Sequence, residues 1–160
     1  MTADIYAVLQ SLGIEYERYD HDAVFTCDEA ERAVPDTGAV HTKNLFVRDK
    51  RGRRHLLVIT TCSKTADLKR LAGLVDADNL SFASPERLDR YLGVSKGSVT
   101  ILGLVNDAEH AVELVIDADV WRAPRIHAHP LVNTATLVLR HEDVARFLEH
   151  TGHQPRVVEL

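Results

Sequence analysis

The sequence has no apolar run approaching the roughly twenty residues that a membrane-crossing helix needs, so no membrane association is expected. Its opening residues, Met1 to Ile5, carry neither the basic nor the apolar stretch of a secretory signal. Cysteine is scarce. Cys27 and Cys62 stand apart without CxxC spacing, and the expectation is two reduced, core-type thiols in a cytoplasmic protein. Internal repeats, low-complexity tracts and linkers are also missing, so residues 1–160 read as one domain.

The usual nucleophile signatures fare no better. Gly93-Val-Ser-Lys-Gly97 matches G-x-S-x-G, but a nucleophile elbow needs a strand before the serine and a helix after it. Here a capped helix precedes and a strand follows, the reverse order, so the match is two turn glycines. His127 and His129 could face one side of a strand, yet no cysteine lies near them, and His141, His150 and His153 lack zinc-like spacing to the pair. A structural or substrate-facing role is expected for His129, with no metal and no cofactor. His141 reads as a capping or surface residue, and His55 and His110 as surface positions.

What is present is enough to build a core: 45% of the residues are hydrophobic and 27% charged. Ile5, Val8, Leu9 and Leu12 share a helical face that Gly13 closes. Glu15 to Tyr19 alternate as a strand. Thr26-Cys-Asp-Glu29 is a capping box for a short helix ending before Pro35. Asn44 to Arg48, the turn Asp49 to Gly52 and His55 to Thr61 form a hairpin. A helix capped by Ser63 or Thr65 should end at Gly73, a short strand should cover Leu80 to Ala83, and Ser84-Pro85 opens a helix that Gly93 ends. Gly97 to Gly103 read as a loop leading into a strand, with further strands at Ala111 to Ile116, Leu131 to Leu139 and Val157 to Glu159, and a helix from Glu142 to His150. Without a regular βα repeat, the expected class is α+β: a mixed sheet with flanking helices.

Charge is unevenly spread. From Lys43 to Arg70 nine basic residues stand against Asp49 and Asp67, a local +7 that leaves −12 for the rest of a chain whose total is −5. A solvated hairpin tip explains part of this, and a phosphate footprint on an otherwise acidic protein explains it as well. Arg51, Arg53, Arg54, Lys64, Lys69 and Arg70 are the candidate phosphate contacts.

Two apolar strands begin with polar groups that are costly to bury unpartnered. One is Thr42-Lys-Asn-Leu-Phe-Val-Arg-Asp49; the other is His127-Ala-His-Pro-Leu-Val-Asn-Thr-Ala-Thr136 running on to Leu139. Such a pattern suggests a pocket floor shared by Lys43, Asn44, His129 and Asn133, with Thr136 a further candidate substrate contact. A lysine at a pocket mouth can hold a phosphate or polarise a carbonyl.

These two stretches, together with Gly97-Ser-Val-Thr100, Gly103-Leu-Val-Asn-Asp107 and Gly152-His-Gln-Pro155, resemble the YbaK/ProX family of aminoacyl-tRNA editing domains over essentially the whole chain. The likeness is strongest to its free-standing prolyl-tRNA editing members. The resemblance implies a mixed α+β fold and hydrolysis of the ester joining a wrong amino acid, usually alanine on proline tRNA, to the terminal adenosine. It assigns Lys43 as the essential lysine, Asn44 to the terminal nucleotide, Gly97 and Ser98 to a glycine loop, and His129 to the amino-acid pocket. The acceptor end of a mischarged proline tRNA is the implied partner, with transient association to prolyl-tRNA synthetase or an elongation factor. One departure stands out: the family loop commonly reads Gly-x-x-x-Pro, and here Ile101 takes the place of the proline. Clearance of cysteine or serine, or tRNA binding without turnover, are the alternative readings.

Overall fold

Alternation of side chains along two central strands sets the architecture of the computed structural model, which describes residues 3–160. Strands β2 (Thr42–Arg48) and β3 (His55–Thr61) pair antiparallel through the expected turn; β1 (Glu17–Asp20) precedes them. Phe46, Leu57 and Ile59 point to one face, where α1 (Ile5–Ser11), α4 (Pro85–Leu92) and α6 (His141–Thr151) bury Leu9, Leu92 and Phe147. Val47, Leu56 and Val58 point to the other face, against Leu71 and Val75 of α3 (Leu68–Leu74) and its cap. Both faces are covered, so β3 is buried along nearly its whole length. Helix α2 (Cys27–Ala33) lies outside both clusters and buries none of its residues.

The five-stranded sheet is mixed, in the order β4-β2-β3-β5-β8, with β4 (Ser81–Phe82) antiparallel to β2. Strands β5 (Val112–Asp117) and β8 (Pro155–Val158) run parallel to β3 and to each other. A separate antiparallel sheet, β1-β7-β6, is built from β6 (Arg125–Ala128) and β7 (Ala135–Arg140) around the first strand. The two sheets meet where Val40 bridges Ile126, just before β2 begins. The fold is mixed α+β.

Several expectations need correction. The capping residue of α3 is Asp67, whose carboxylate accepts from the Arg70 amide, so neither Ser63 nor Thr65 caps it and Gly73 lies inside the helix. Ile101–Asn106 is a 3₁₀ helix in place of a strand, capped by the Thr100 hydroxyl on the Leu102 amide. The long strand from Leu131 begins only at Ala135, because Leu131 adopts φ 69° in a turn. The short helix α5 (Ala118–Trp121) and β6 carry no period long enough to register in the sequence. His55 is buried, not exposed: its ring packs against those of Phe46 and Tyr91, at separations of 5.9 and 4.1 Å.

Cys27 and Cys62 form a disulfide, contrary to the reduced state expected for them. The pairing crosses 35 residues and ties the first turn of α2 to the end of β3. Only the tertiary fold places the two Cα atoms 5.8 Å apart, within bridging range.

Candidate active site

Strand β4 is two residues long, so it covers β2 only at Val47 and Arg48 and leaves the edge from Thr42 to Leu45 open. The Ala83 amide donates to the Phe46 carbonyl, and antiparallel alternation then turns the N–H and C=O of Asn44 toward that same open edge. A cavity of about 470 Å³ runs along it. Thr42, Lys43, Asn44 and Leu45 form one wall, and Val24 to Cys27 with Lys96 and Gly97 the opposite one. His129 closes the inner end.

Lys43 Nζ donates a 2.6 Å hydrogen bond to the main-chain carbonyl of Lys64. That carbonyl is itself immobilised, since the Lys64 ammonium is bound by Asp117 at 2.7 Å, Asp119 at 2.8 Å and the Leu160 carbonyl at 2.9 Å. Burial would raise the Asp117 carboxyl, but bonds from Lys64, Thr60 and the Asp119 amide outweigh it and hold the group below its ordinary range. Lys43, which lines the cavity, therefore has one donor committed and no other partner among the described residues.

His129 is fixed from two sides. Its carbonyl accepts from the Thr100 hydroxyl at 2.7 Å, and its Nδ1 donates to the Ala135 carbonyl at 3.0 Å. Burial is the main influence on the ring and lowers its pKa, against a smaller opposing effect of the Ala135 bond. The imidazole is accordingly neutral at pH 7, with its lone pair on Nε2.

Behind His129 lies a recess of about 30 Å³, lined by His41, Asn44, His127 and Thr136 among others. It shares Ala30, Thr42, Asn44 and His129 with the main cavity. Thr136 is buried and its hydroxyl bonds His21 Nε2 at 2.8 Å. His127 bonds the Thr37 hydroxyl at 2.8 Å and meets His41 edge-on. Burial first, then the neighbouring His41 and His129, push its pKa down to about 4.

Of the expected site residues, Lys43, Asn44, Gly97 and His129 line the main cavity, and Thr136 joins the recess. Asn133 does not line either; its Nδ2 donates to the Val24 carbonyl at 2.9 Å and so positions the opposite wall. Ser98 is buried beneath the loop, away from the cavity lining. Gly97 has φ +91°, and a Cβ there would meet the Phe25 ring at 2.7 Å, so both conformation and contact require glycine. Ile101 is buried in the core and lines neither space.

Sequence reasoning missed Phe25 and Phe82, which line the cavity yet are 66% and 60% exposed. Each is a lone aromatic with no pattern around it to mark it. Among the six candidate phosphate contacts, Arg54 is committed to Glu113 at 2.7 Å, Lys64 to the two aspartates, and Arg70 to the Glu159 carbonyl. Arg51, Arg53 and Lys69 have no side-chain partner among the described residues. No group of three or more His, Cys, Asp or Glu among the described residues could hold a metal ion, and no described helix is long and apolar enough to cross a membrane.

A family model described as "Aminoacyl-tRNA editing domain" matches residues 21–147. The chain is 36% identical over 98% of its length to the prolyl-tRNA editing protein ProX of Acetoanaerobium sticklandii, covering 95% of that protein. It is 37% identical over 95% of its length to the prolyl-tRNA synthetase associated domain-containing protein 1 of Danio rerio, covering 83% of it. A solved structure described as a candidate trans-editing enzyme for prolyl tRNA synthetase shares the fold at TM-score 0.71 and 20% identity, with 100% of this chain and 98% of that one covered.

Proposed function

The chain belongs to the aminoacyl-tRNA editing domain family, and on that premise we propose that it hydrolyses, in trans, the ester of alanine mischarged on proline tRNA. The observation that carries the reading is the open β2 edge beside Lys43, backed by a recess behind His129. In this reading residues 1–160 act as one editing unit in the cytoplasm, without cofactor, meeting prolyl-tRNA synthetase or an elongation factor only in passing.

An aminoacyl ester is already activated, so the protein needs to position it, supply a water and stabilise an oxyanion. The exposed faces of Phe25 and Phe82 offer stacking surfaces for the terminal adenine. Lys43 Nζ meets the terminal phosphate or the ester carbonyl, and the outward N–H of Asn44 supplies a second donor at the same edge. His129 Nε2, neutral and unprotonated, accepts a hydrogen bond from the attacking water or the substrate ammonium. Water adds to the carbonyl carbon, the acyl–oxygen bond breaks, and the ribose oxygen leaves with a proton to regenerate the tRNA hydroxyl. Gly97 keeps the Phe25 wall close, and Thr136 and Asn133 shape the floor and the opposite wall.

Size supports alanine. A space of about 30 Å³ holds a methyl group or roughly two waters, whereas the pyrrolidine ring of proline brings three methylenes to the same place. Steric exclusion discriminates better here than contact energy, which yields only ~1–3 kcal/mol per methylene.

Incubating the protein with alanyl-, cysteinyl-, seryl- and prolyl-tRNA tests the reading. Loss of alanine with prolyl-tRNA spared supports it. Preferred loss of cysteine or serine reassigns the recess, and tight binding with no ester loss at any protein concentration makes the chain a binding module.

A further inference from the structure

The hairpin turn beyond β2 carries a feature that the editing cavity does not use. Arg48 and Arg87 approach Gly52 from two elements. A Cβ built on that glycine would lie 2.9 Å from Arg87 Nη2, 3.3 Å from its Nη1 and 3.4 Å from Arg48 Nη1. The two guanidinium groups thus converge on one point, although like charges repel.

No described carboxylate compensates them. Arg48 Nη1 donates only to the carbonyls of Asp49 and Lys50, both at 3.4 Å. Arg87 Nη1 donates to the Gly52 carbonyl at 3.4 Å and to His55 Nε2 at 2.7 Å. Asp49 in the same turn is buried, and one of its oxygens accepts from the amides of Arg53 and Arg54 at 2.8 and 3.1 Å. His55 adds no further positive charge: burial first, then Arg87 with Arg48 and Arg90, keeps it neutral against the pull of Asp49. Arg48 Nη2 and Arg87 Nη2 make no hydrogen bond among the described residues. Paired guanidinium forks with free donors and no internal anion match the geometry of a phosphate group.

Placement gives the anion a source. Arg48 stands five residues along β2 from Lys43, about 17 Å at strand spacing, and Phe82, opposite Val47, lies between them at the cavity edge. We propose that Arg48 and Arg87 form a clamp for a backbone phosphate of the acceptor strand, a few nucleotides from the terminal adenosine seated in the cavity. This rests on the editing reading, and it shifts the RNA track from Arg54 and Lys64, whose charges are met by carboxylates, to the α4 side of the hairpin.

The test is salt-dependent binding of an uncharged acceptor-stem RNA hairpin ending in CCA, followed by fluorescence anisotropy. The variants are Arg48→Gln, Arg87→Gln and the double variant, with Arg156→Gln on β8 as the control. Each lost phosphate contact should lower the slope of log K against log salt by about 0.7–0.9 and weaken binding several-fold at low salt. Arg48→Gln touches no side-chain partner, so it reports even where Arg87→Gln disturbs His55. Wild-type slope and affinity in Arg48→Gln overturn the clamp. Because the probe carries no amino acid, a wild-type protein that never hydrolyses mischarged tRNA but loses slope in Arg48→Gln keeps the clamp and sinks the deacylase reading alone.

Discussion

The ammonium of Lys43 is anchored on the carbonyl of Lys64, 2.6 Å away, and the side chain of Lys64 is in turn bound to a fully buried Asp117. One lysine is placed by the backbone of another, whose own charge is used up inside the fold.

Lys43→Ala should therefore lower single-turnover deacylation of alanyl-tRNA by about two to three orders of magnitude, the scale of losing one preorganised donor. Circular dichroism should stay unchanged, because Lys43 is half-exposed and makes a single bond. Lys43→Arg should rescue poorly, since a planar fork does not replace a compact charge in this edge cavity. Near-normal rates in both variants would refute the mechanism.

Lys64→Met addresses the anchor. Stranding the Asp117 carboxylate should cost about 3 kcal/mol in denaturant unfolding. The salt slope for RNA binding should stay at the wild-type value, because this ammonium is already spent on Asp117 and Asp119. A reduced slope would restore Lys64 to the RNA surface.

Acid should weaken the protein through His127. Its folded pKa of about 4 lies below the ordinary imidazole value of 6.5, so between those values the unfolded chain binds more protons. Stability is full above the upper value and falls as pH drops toward the lower, by a total on the order of 3 kcal/mol. His55 and His129 are shifted the same way by burial and add to the loss. Thermal midpoints measured across this range should flatten in His127→Gln; an unchanged profile would exclude His127 as the source.

Phe82→Ala removes an exposed ring that contributes nothing to the core. If it stacks on a base, KM for mischarged tRNA should rise by the equivalent of about 1–3 kcal/mol while thermal stability holds. Unaltered KM would leave Phe82 outside the substrate path.

Reducing the Cys27–Cys62 bond with a thiol should destabilise the fold by roughly 4 kcal/mol, as expected for a loop of this length. Helix α2 buries no residue of its own, so the cavity wall it carries should loosen and KM rise. Equal stability in both redox states would show that α2 is held by other contacts.

Much of the fold was legible because local rules govern it. The Thr26 cap, the Ser84-Pro85 helix start, the glycine stop at Gly93 and the His55–Thr61 strand follow from capping chemistry and apolar patterning, and the structure places them as expected. Lys43, Asn44 and His129 stood out because polar groups leading into apolar strands demand partners. Where two local signals competed, the reading slipped. Asp67 outcompeted Ser63 and Thr65 as a cap, and Ile101–Asn106 formed a 3₁₀ helix where the loop from Gly97 was expected to lead into a strand.

By itself the sequence determined the class of fold, the polar strand starts and the family resemblance. Tertiary structure alone decided which charges remain free. Arg54 and Lys64 look the same as Arg48 and Arg87 along the chain, yet the first two find carboxylates and the last two converge on Gly52 without one. It likewise paired Cys27 with Cys62 and brought Phe25 against Gly97. These outcomes depend on distances between residues far apart in the chain, set by how β2, β3 and α2 pack, and no local pattern encodes a distance of that kind.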